Sequence, residues 1–465
     1  AARDPPGALS ASAAKRPPGG AGARPMVRIL LGIFRDLYVV LLIIFIIEQI
    51  PGNDLLHDMT RKAVITVTIG VAVVKVIQPF FENAAGPGRT PRRQKKTATG
   101  KNSCMEWASS EMQGWRPAME DAVAIVASLE PPLSHQALFA VFDGHGGAQV
   151  SAIASAEFPK VLSTCAREAL EEDCDSAKET DDCDSFKETN SDEGGDTPAK
   201  ANSPKTARAK APEDVKSDVF PYARLGESLR GALLTMDATL RRKGSSNGVS
   251  AESSPAMSLI NGQLGSPEAD KRSAFSLVGS TAIIALIDLG EGAEPSRPRR
   301  VTVANCGDSR AIVCRKGKAV ELSEDHKPEL PGEEERIRKA GGHVAMIGPC
   351  HRIDGWGLNL SRALGDFHYK ARTDLGPEEQ KVIAVPEIRT LDLTEEDEFL
   401  VLGCDGIFEL NTSQKAIDIV REAYASGLST EKACEELVER SCSSNLMKTR
   451  GKGGDNCSAI VLKLR

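Results

Sequence analysis

The sequence predicts an α+β fold: a central antiparallel β-sandwich flanked by helices, in the layer order α/β/β/α, behind an N-terminal membrane hairpin. Three observations predict it. Short β-rich runs outnumber the helical segments available as crossovers, which argues against a doubly wound sheet. Several of these runs are neighbours joined by turns alone, the connection that antiparallel strands use. Two apolar stretches of about nineteen residues stand ahead of them all.

Residues 1–28 are rich in Ala, Pro, Gly and Arg, lack apolar periodicity, and are expected to be disordered. The chain begins with Ala rather than Met, which leaves open a fragment, a processed form, or a start at Met26. Within 29–81, one apolar stretch runs from Ile29 to Ile47, interrupted by Arg35 and Asp36, and another from Ala63 to Phe81, interrupted by Lys75. A charge at the centre of a spanning helix costs roughly 2.5 to 3.5 kcal/mol, but Arg35 and Lys75 lie toward the outer ends and can snorkel. The connector from Glu48 to Lys62 holds three acidic and two basic residues, whereas basic residues crowd both flanks, Arg24 and Arg28 before, Arg89, Arg92, Arg93, Lys95 and Lys96 after. By the positive-inside rule this reads as two transmembrane helices with both ends, and everything downstream, in the cytosol. A signal peptide followed by a buried amphipathic helix, or an organelle presequence with one anchor, are the competing readings.

Residues 82–103 read as a basic linker, and a single catalytic domain is expected over 104–465. Strands are expected at 122–127, 137–142, 281–288, 301–304, 311–314, 399–402 and 458–464. Helical patterns occupy about 147–169, 214–242, 333–340, 413–425 and 430–442. Two inserts, about 171–212 and 243–274, are expected to be disordered. The first contains an imperfect nine-residue repeat beginning at Asp173 and again at Asp182, too short for a solenoid. It reads as a solvated loop or as a docking tail for basic partners.

The formal net charge of −7 hides an asymmetry. Residues 171–196 carry twelve Asp or Glu against two Lys, which leaves the rest of the chain at about +3. Aromatic residues make up only 4% of the chain, and no basic stripe carries them, which excludes nucleic acid as a partner. Eleven cysteines without a C-x-x-C pair do not make a disulfide framework and favour a reducing compartment. None stands in a C-x5-R arrangement, so a cysteine-thiolate route to phosphate esters lacks its residues.

Four aspartates at or near the ends of apolar runs carry the chemistry: Asp143, Asp308, Asp405 and Asp455, in D-G-H-G-G, G-D-S-R, C-D-G-I-F and G-G-D-N. Carboxylates gathered at strand ends repel one another unless a cation sits among them, and hard divalent ions take oxygen ligands. A di-metal hydrolytic centre is the reading that follows.

Taken in order, Arg116-Pro117-Ala118-Met119-Glu120-Asp121, Val141-Phe142-Asp143-Gly144-His145-Gly146-Gly147, Asn305-Cys306-Gly307-Asp308-Ser309-Arg310, Asp325-His326-Lys327-Pro328, Ser361-Arg362-Ala363-Leu364-Gly365-Asp366, Cys404-Asp405-Gly406 and Asp455-Asn456 give the chain a resemblance. It resembles the metal-dependent Ser/Thr protein phosphatases of type 2C over roughly residues 104–465. The acidic insert, and Pro377-Glu378-Glu379-Gln380 after the L-S-R-A-L-G-D run, make it most similar to the gamma-type branch. The resemblance implies hydrolysis of phosphoserine and phosphothreonine by a hydroxide that bridges two Mg2+ or Mn2+ ions, with a third, weaker ion. It implies Asp143 as the bridging ligand and the Gly144 carbonyl as a ligand of one ion, the glycine permitting close backbone approach. Asp405 and Asp455 complete the other ion, and Glu120 acts through metal-bound water. Arg116 is expected to bind phosphate bidentately, and His145 to protonate the leaving alkoxide. Asp308 and Glu409, the latter where the family usually has Asp, form the third site. His326 reads as loop-fixing, and the segment from His343 to Gly357 as part of a flap beside the metals. The expected partners are phosphorylated proteins and a membrane, with a monomeric catalytic domain facing the cytosol. The competing function is a membrane-anchored pseudophosphatase scaffold that binds phosphoproteins without turnover. A calcineurin-like centre lacks its G-D-x-H-G and G-N-H-E motifs here.

Overall fold

A strand with no polar residue needs cover on both faces, and the chain supplies it by stacking two sheets and adding helices outside each. The computed structural model describes residues 90–181, 220–246, 273–290 and 298–465, all within the unit Thr90–Arg465. In chain order the sandwich strands are β1 (Arg92–Lys101), β2 (Met105–Gly114), β3 (Ala122–Val126), β4 (Gln136–Phe142), β5 (Ala282–Asp288), β6 (Arg300–Cys306), β7 (Arg310–Arg315), β8 (Lys318–Glu321), β9 (Glu387–Asp392), β10 (Asp397–Gly403) and β11 (Cys457–Leu464). The principal helices are α1 (Gln149–Asp181), α2 (Tyr222–Ser246), α3 (Pro331–Lys339), α4 (Ser413–Ala425) and α5 (Thr430–Ser441).

One sheet has the order β1-β2-β11-β10-β7-β8 and the other β9-β6-β5-β4-β3. Every pairing within them is antiparallel. Side chains alternate along each strand, and β4 shows the result. Ala137, Phe139 and Val141 enter the core between the sheets with Val313, Leu402 and Ile460. Leu138, Ala140 and Phe142 turn outward to Phe158 and Leu162 of α1 and Leu229, Leu233 and Met236 of α2. Helices α4 and α5 cover the six-stranded sheet through Ile417, Val420, Ala433 and Leu437. Thr412 and Ser429 cap them, accepting from the Lys415 and Lys432 amides. Phe139 is fully buried, and such a side chain contributes up to about 3 kcal/mol.

The basic linker expected over 82–103 ends sooner than the composition suggests, since residues 92–101 form β1 and the folded unit starts ahead of residue 104. No apolar alternation marks this strand because ionic and polar contacts replace it. Lys95 Nζ lies 2.5 Å from Glu439 Oε2, Arg93 pairs with the same carboxylate, and Thr97 Oγ1 donates to Glu435 Oε1 at 3.0 Å. Strand β2, Met-Glu-Trp-Ala-Ser-Ser-Glu-Met-Gln-Gly, escapes the sequence pattern because its middle is small and polar, yet it lies between β1 and β11. Both inserts begin later than expected. Helix α1 continues to Asp181 and α2 to Ser246; the extension of α1 holds Glu, Ala and Lys, strong helix formers even where an acidic balance suggests a solvated loop. The rest of the inserts, 182–219 and 247–272, lies outside the described residues, as do residues 1–28, the apolar stretches within 29–81, and 82–89. Among the described residues no helix is long and apolar enough to cross a membrane.

Candidate active site

The antiparallel pairing brings several strand ends to one edge of the sandwich. Asp143 directly follows β4, and Asp308 lies in the turn between β6 and β7. Asp405 opens the single-turn helix Asp405–Phe408 just after β10, and Asp455 stands two residues before β11. Arg116 and Glu120 occupy the loop from β2 to β3. A cleft of about 320 Å³ at this edge is lined by Arg116, Glu120, Asp143, Gly144, His145, Asp308, Asp405, Glu409 and Asp455. The structure thus brings every candidate site residue together.

Gly144 is a glycine for reasons of space, because a Cβ there would run into the Glu120 carbonyl oxygen and Ser151 Oγ. Two neighbours in the cleft went unassigned in the sequence. Asn456 locks the Arg116–Glu120 loop: its Oδ1 accepts from the Glu120 amide at 2.9 Å, and its Nδ2 donates to the carbonyls of Gln113 and Ala118 at 2.8 and 3.0 Å. Thr281 fixes Asp143, accepting from its amide at 3.2 Å and donating its own N–H to the Asp143 carbonyl at 2.9 Å. Both act on backbone, which leaves no spacing signal; only the D-N pair hinted at Asn456.

The electrostatics are those of an anionic centre that two cationic side chains compensate only in part. Burial, then Asp121, Asp405 and Asp455, push Asp143 well above the usual carboxylate range. Burial, then Asp308 and Asp455, do the same to Asp405. Burial also lifts Asp121 to about 7, against the hydrogen bond from Ser458. Arg116 pairs with Asp455, and Lys327 with Asp308. Asp121, the unassigned member of the E-D pair, keeps a buried Oδ1 without a hydrogen-bond partner. One ligand atom from each of Asp121, Asp143 and Cys404 lies within 4.8 Å of the others. Gathered oxygen donors, raised carboxyl pKa values and an orphaned carboxylate oxygen fit a hard divalent cation.

His145 is held from behind, its Nε2 2.6 Å from Asp366 Oδ2. Burial works against a charged ring, but Asp366, Asp308 and Glu120 outweigh it and raise the His145 pKa above the ordinary value. The flap is the hairpin Val344–Ile347 and Cys350–Ile353, which brings Cys350 and Arg352 to the cleft. His326 holds the G-D-S-R turn: its amide donates to the Gly307 carbonyl at 2.9 Å, and its carbonyl accepts from Ser361 at 3.1 Å. The two carboxylates expected at a third ion have protein partners, Asp308 in Lys327 and Glu409 in the Gly453 amide, at 2.7 Å.

The family model described as protein phosphatase 2C matches residues 105–209 and 235–449 of the chain. Probable protein phosphatase 2C 58 of Oryza sativa subsp. japonica is 30% identical over 395 residues, 81% of this chain and 88% of that protein. Protein phosphatase 2C 1 of Paramecium tetraurelia is 30% identical over 379 residues, 81% of this chain and 97% of that protein. The crystal structure of serine-threonine phosphatase 2C from Toxoplasma gondii shares the fold, with a TM-score of 0.52 at 19% identity, covering 80% of this chain and 99% of that one.

Proposed function

Because this chain belongs to the protein phosphatase 2C family and is a metal-dependent protein serine/threonine phosphatase, we propose that its reaction runs in the carboxylate cleft. The reading holds that Asp143, the Gly144 carbonyl, Asp405 and Asp455 ligate two Mg2+ or Mn2+ ions, with Glu120 acting through water. Bound ions of this kind lower the pKa of water to give a nucleophile and neutralise phosphoryl oxygens. Arg116, on the cleft rim, turns its guanidinium from Asp455 to the phosphoryl group of the substrate, where two parallel N–H donors match two oxygens. His145 gives a proton to the seryl or threonyl oxygen as the P–O bond breaks, the oxygen keeping the bonding electron pair. Asn456 and Thr281 keep the Arg116 loop and Asp143 in register. Asp308 and Glu409 remain candidates for a weaker third ion, beside Lys327, which pairs with one oxygen of Asp308. The observation that carries the proposal is the convergence of all these residues on one cleft. It also speaks against a scaffold without turnover, since the ligand set is complete. The test is titration of metal-free full-length protein with Mn2+, followed by calorimetry and by phosphothreonine-peptide hydrolysis. Two strong sites, and turnover abolished by EDTA, are expected; a single site or metal-independent turnover overturns it.

The acidic run and the residues 377–380 support a place near the gamma-type branch. The apolar stretches within 29–81 and their basic flanks support a membrane hairpin that leaves the catalytic unit in the cytosol. Full-length protein expressed in cells is then expected to stay in the membrane pellet after alkaline carbonate washing. Recovery in the supernatant refutes the anchor.

A further inference from the structure

The G-D pair that ends the Ser361–Asp366 motif lies outside the cleft, and its geometry gives it a use. Three short strands, Gly144–His145, Gly279–Ser280 and Leu364–Gly365, form a separate small sheet with Gly279–Ser280 in the middle. Its register places Gly279 opposite His145 on one side and opposite Gly365 on the other. Asp366 follows at once and reaches back across Gly279 to His145 Nε2 at 2.6 Å. A Cβ on Gly279 would collide with both Asp366 Oδ2 and His145 Nε2, so this glycine is the space through which the two side chains meet.

The aspartate is held there at some conformational expense. Its backbone is left-handed, φ 52° and ψ 41°, a region that L residues other than Asn and Asp rarely adopt. Several bonds over-determine it. The Asp366 amide donates to the Val278 carbonyl at 3.0 Å, and the Gly365 amide to Asp237 Oδ1 at 2.8 Å. The buried Lys370 ties Asp237, at 2.7 Å, to the Ala363 carbonyl, at 2.8 Å. A strained, buried carboxylate aimed at one ring nitrogen of a cleft histidine is the arrangement that orients an imidazole for proton transfer.

We infer that Asp366 is the positioning residue for His145: bonded to Nε2 across Gly279, it fixes the ring so that Nδ1 faces the leaving oxygen of the phosphoserine or phosphothreonine. The inference rests on the role of His145 proposed above. In the step concerned, the oxygen of the attacking water bonds to phosphorus and the P–O bond to the alcohol breaks. The alcohol oxygen keeps the electron pair and takes the Nδ1 proton, leaving a neutral imidazole, and the proton lost by water returns through solvent to restore the imidazolium.

Leaving groups separate this from a structural role. An alkoxide needs the proton, whereas 4-nitrophenolate leaves without one. Loss of folding or of metal lowers both reactions together, but loss of proton delivery falls on the first. In full-length protein with Mn2+, His145→Gln and Asp366→Asn are each expected to lower kcat on a phosphothreonine peptide at least about tenfold further than on 4-nitrophenyl phosphate, within the range of general-acid contributions. Gly279→Ala puts a methyl group against Asp366 and His145 and so parts the pair without changing either, and the same split is expected; whichever of Gly279→Ala and Asp366→Asn keeps the wild-type circular dichroism spectrum decides the matter. A split in His145→Gln with equal losses in the deciding Asp366 or Gly279 variant overturns the inference alone. No split in His145→Gln overturns the role of His145, and the inference with it.

Discussion

Asp405→Asn is expected to lower metal-dependent turnover at least about 10³-fold and, in the absence of metal, to raise the melting temperature. A metal clamp on the transferring phosphoryl group contributes several kcal/mol, and each 1.36 kcal/mol is tenfold in rate. The opposite effect on stability follows from the charges. Burial and the neighbouring Asp308 and Asp455 hold the folded pKa of Asp405 far above its ordinary 3.8. An acid whose pKa rises on folding contributes stability that is whole below the unfolded value and is lost as pH rises toward the folded one. At neutral pH the metal-free fold is therefore weakened by its own centre, and a neutral amide of the same shape relieves it. Differential scanning calorimetry at pH 7 with EDTA and with Mn2+ checks this. Mn2+ should raise the melting temperature of the wild type by more than that of the variant. A variant that melts below the wild type without metal, or that keeps its turnover, removes Asp405 from the ligand set.

Glu333→Ala is expected to cost about 3–5 kcal/mol at pH 7, the usual penalty for stripping one partner from a buried ionic cluster. The Glu333 carboxylate accepts from Ser361 Oγ, from Arg362 Nη2 at 2.7 Å and from Arg336 Nη1 at 2.8 Å, so its loss leaves two guanidinium groups without it. Burial opposes its charge, but Arg362 and Arg336 bring its pKa down to about 2. Its contribution is present above the ordinary 4.5 and is lost as pH falls toward 2. His326 sits close enough for Arg362 to act on it: burial, then Arg362, lowers its pKa to about 4. A histidine kept neutral in the fold gives up stability as pH falls from 6.5 to 4, because the unfolded chain takes up the proton first. Urea unfolding should thus show the wild type weakening below pH 6.5, and its gap to Glu333→Ala narrowing below 4.5. A gap under about 1 kcal/mol at pH 7, or one indifferent to pH, refutes the account.

Much of the sandwich was legible because its central strands are apolar without interruption; Ala137–Phe142 and Ala282–Ile287 have no competing reading. Strands β1 and β2 were not, since Lys95 and Thr97 are stabilised by glutamates over three hundred residues away in sequence, a contact that no local pattern records. The candidate ligands were legible because coordination demands particular side chains beside particular glycines. Asn456, Thr281 and Asp121 had no role assigned from sequence, because they act on backbone or lie behind the candidate ligands. The Ser361–Arg362 part of its motif was visible as a signature, but its ionic bond to Glu333 appears only when α3 is packed against it.

The carboxylates of the cleft do not share a sheet. Asp143 and Asp308 follow strands of the five-stranded layer, whereas Asp405 and Asp455 flank strands of the six-stranded one. The gap they bracket is therefore gauged by the thickness of the core, about 10 Å between stacked sheets, as well as by the loops that carry them. Trp107 and Phe139, edge to face with centroids 5.5 Å apart, are among the spacers that set it. The hydrophobic interior of this enzyme is in that sense a calliper: repacking a residue that never touches substrate changes the opening of its jaws.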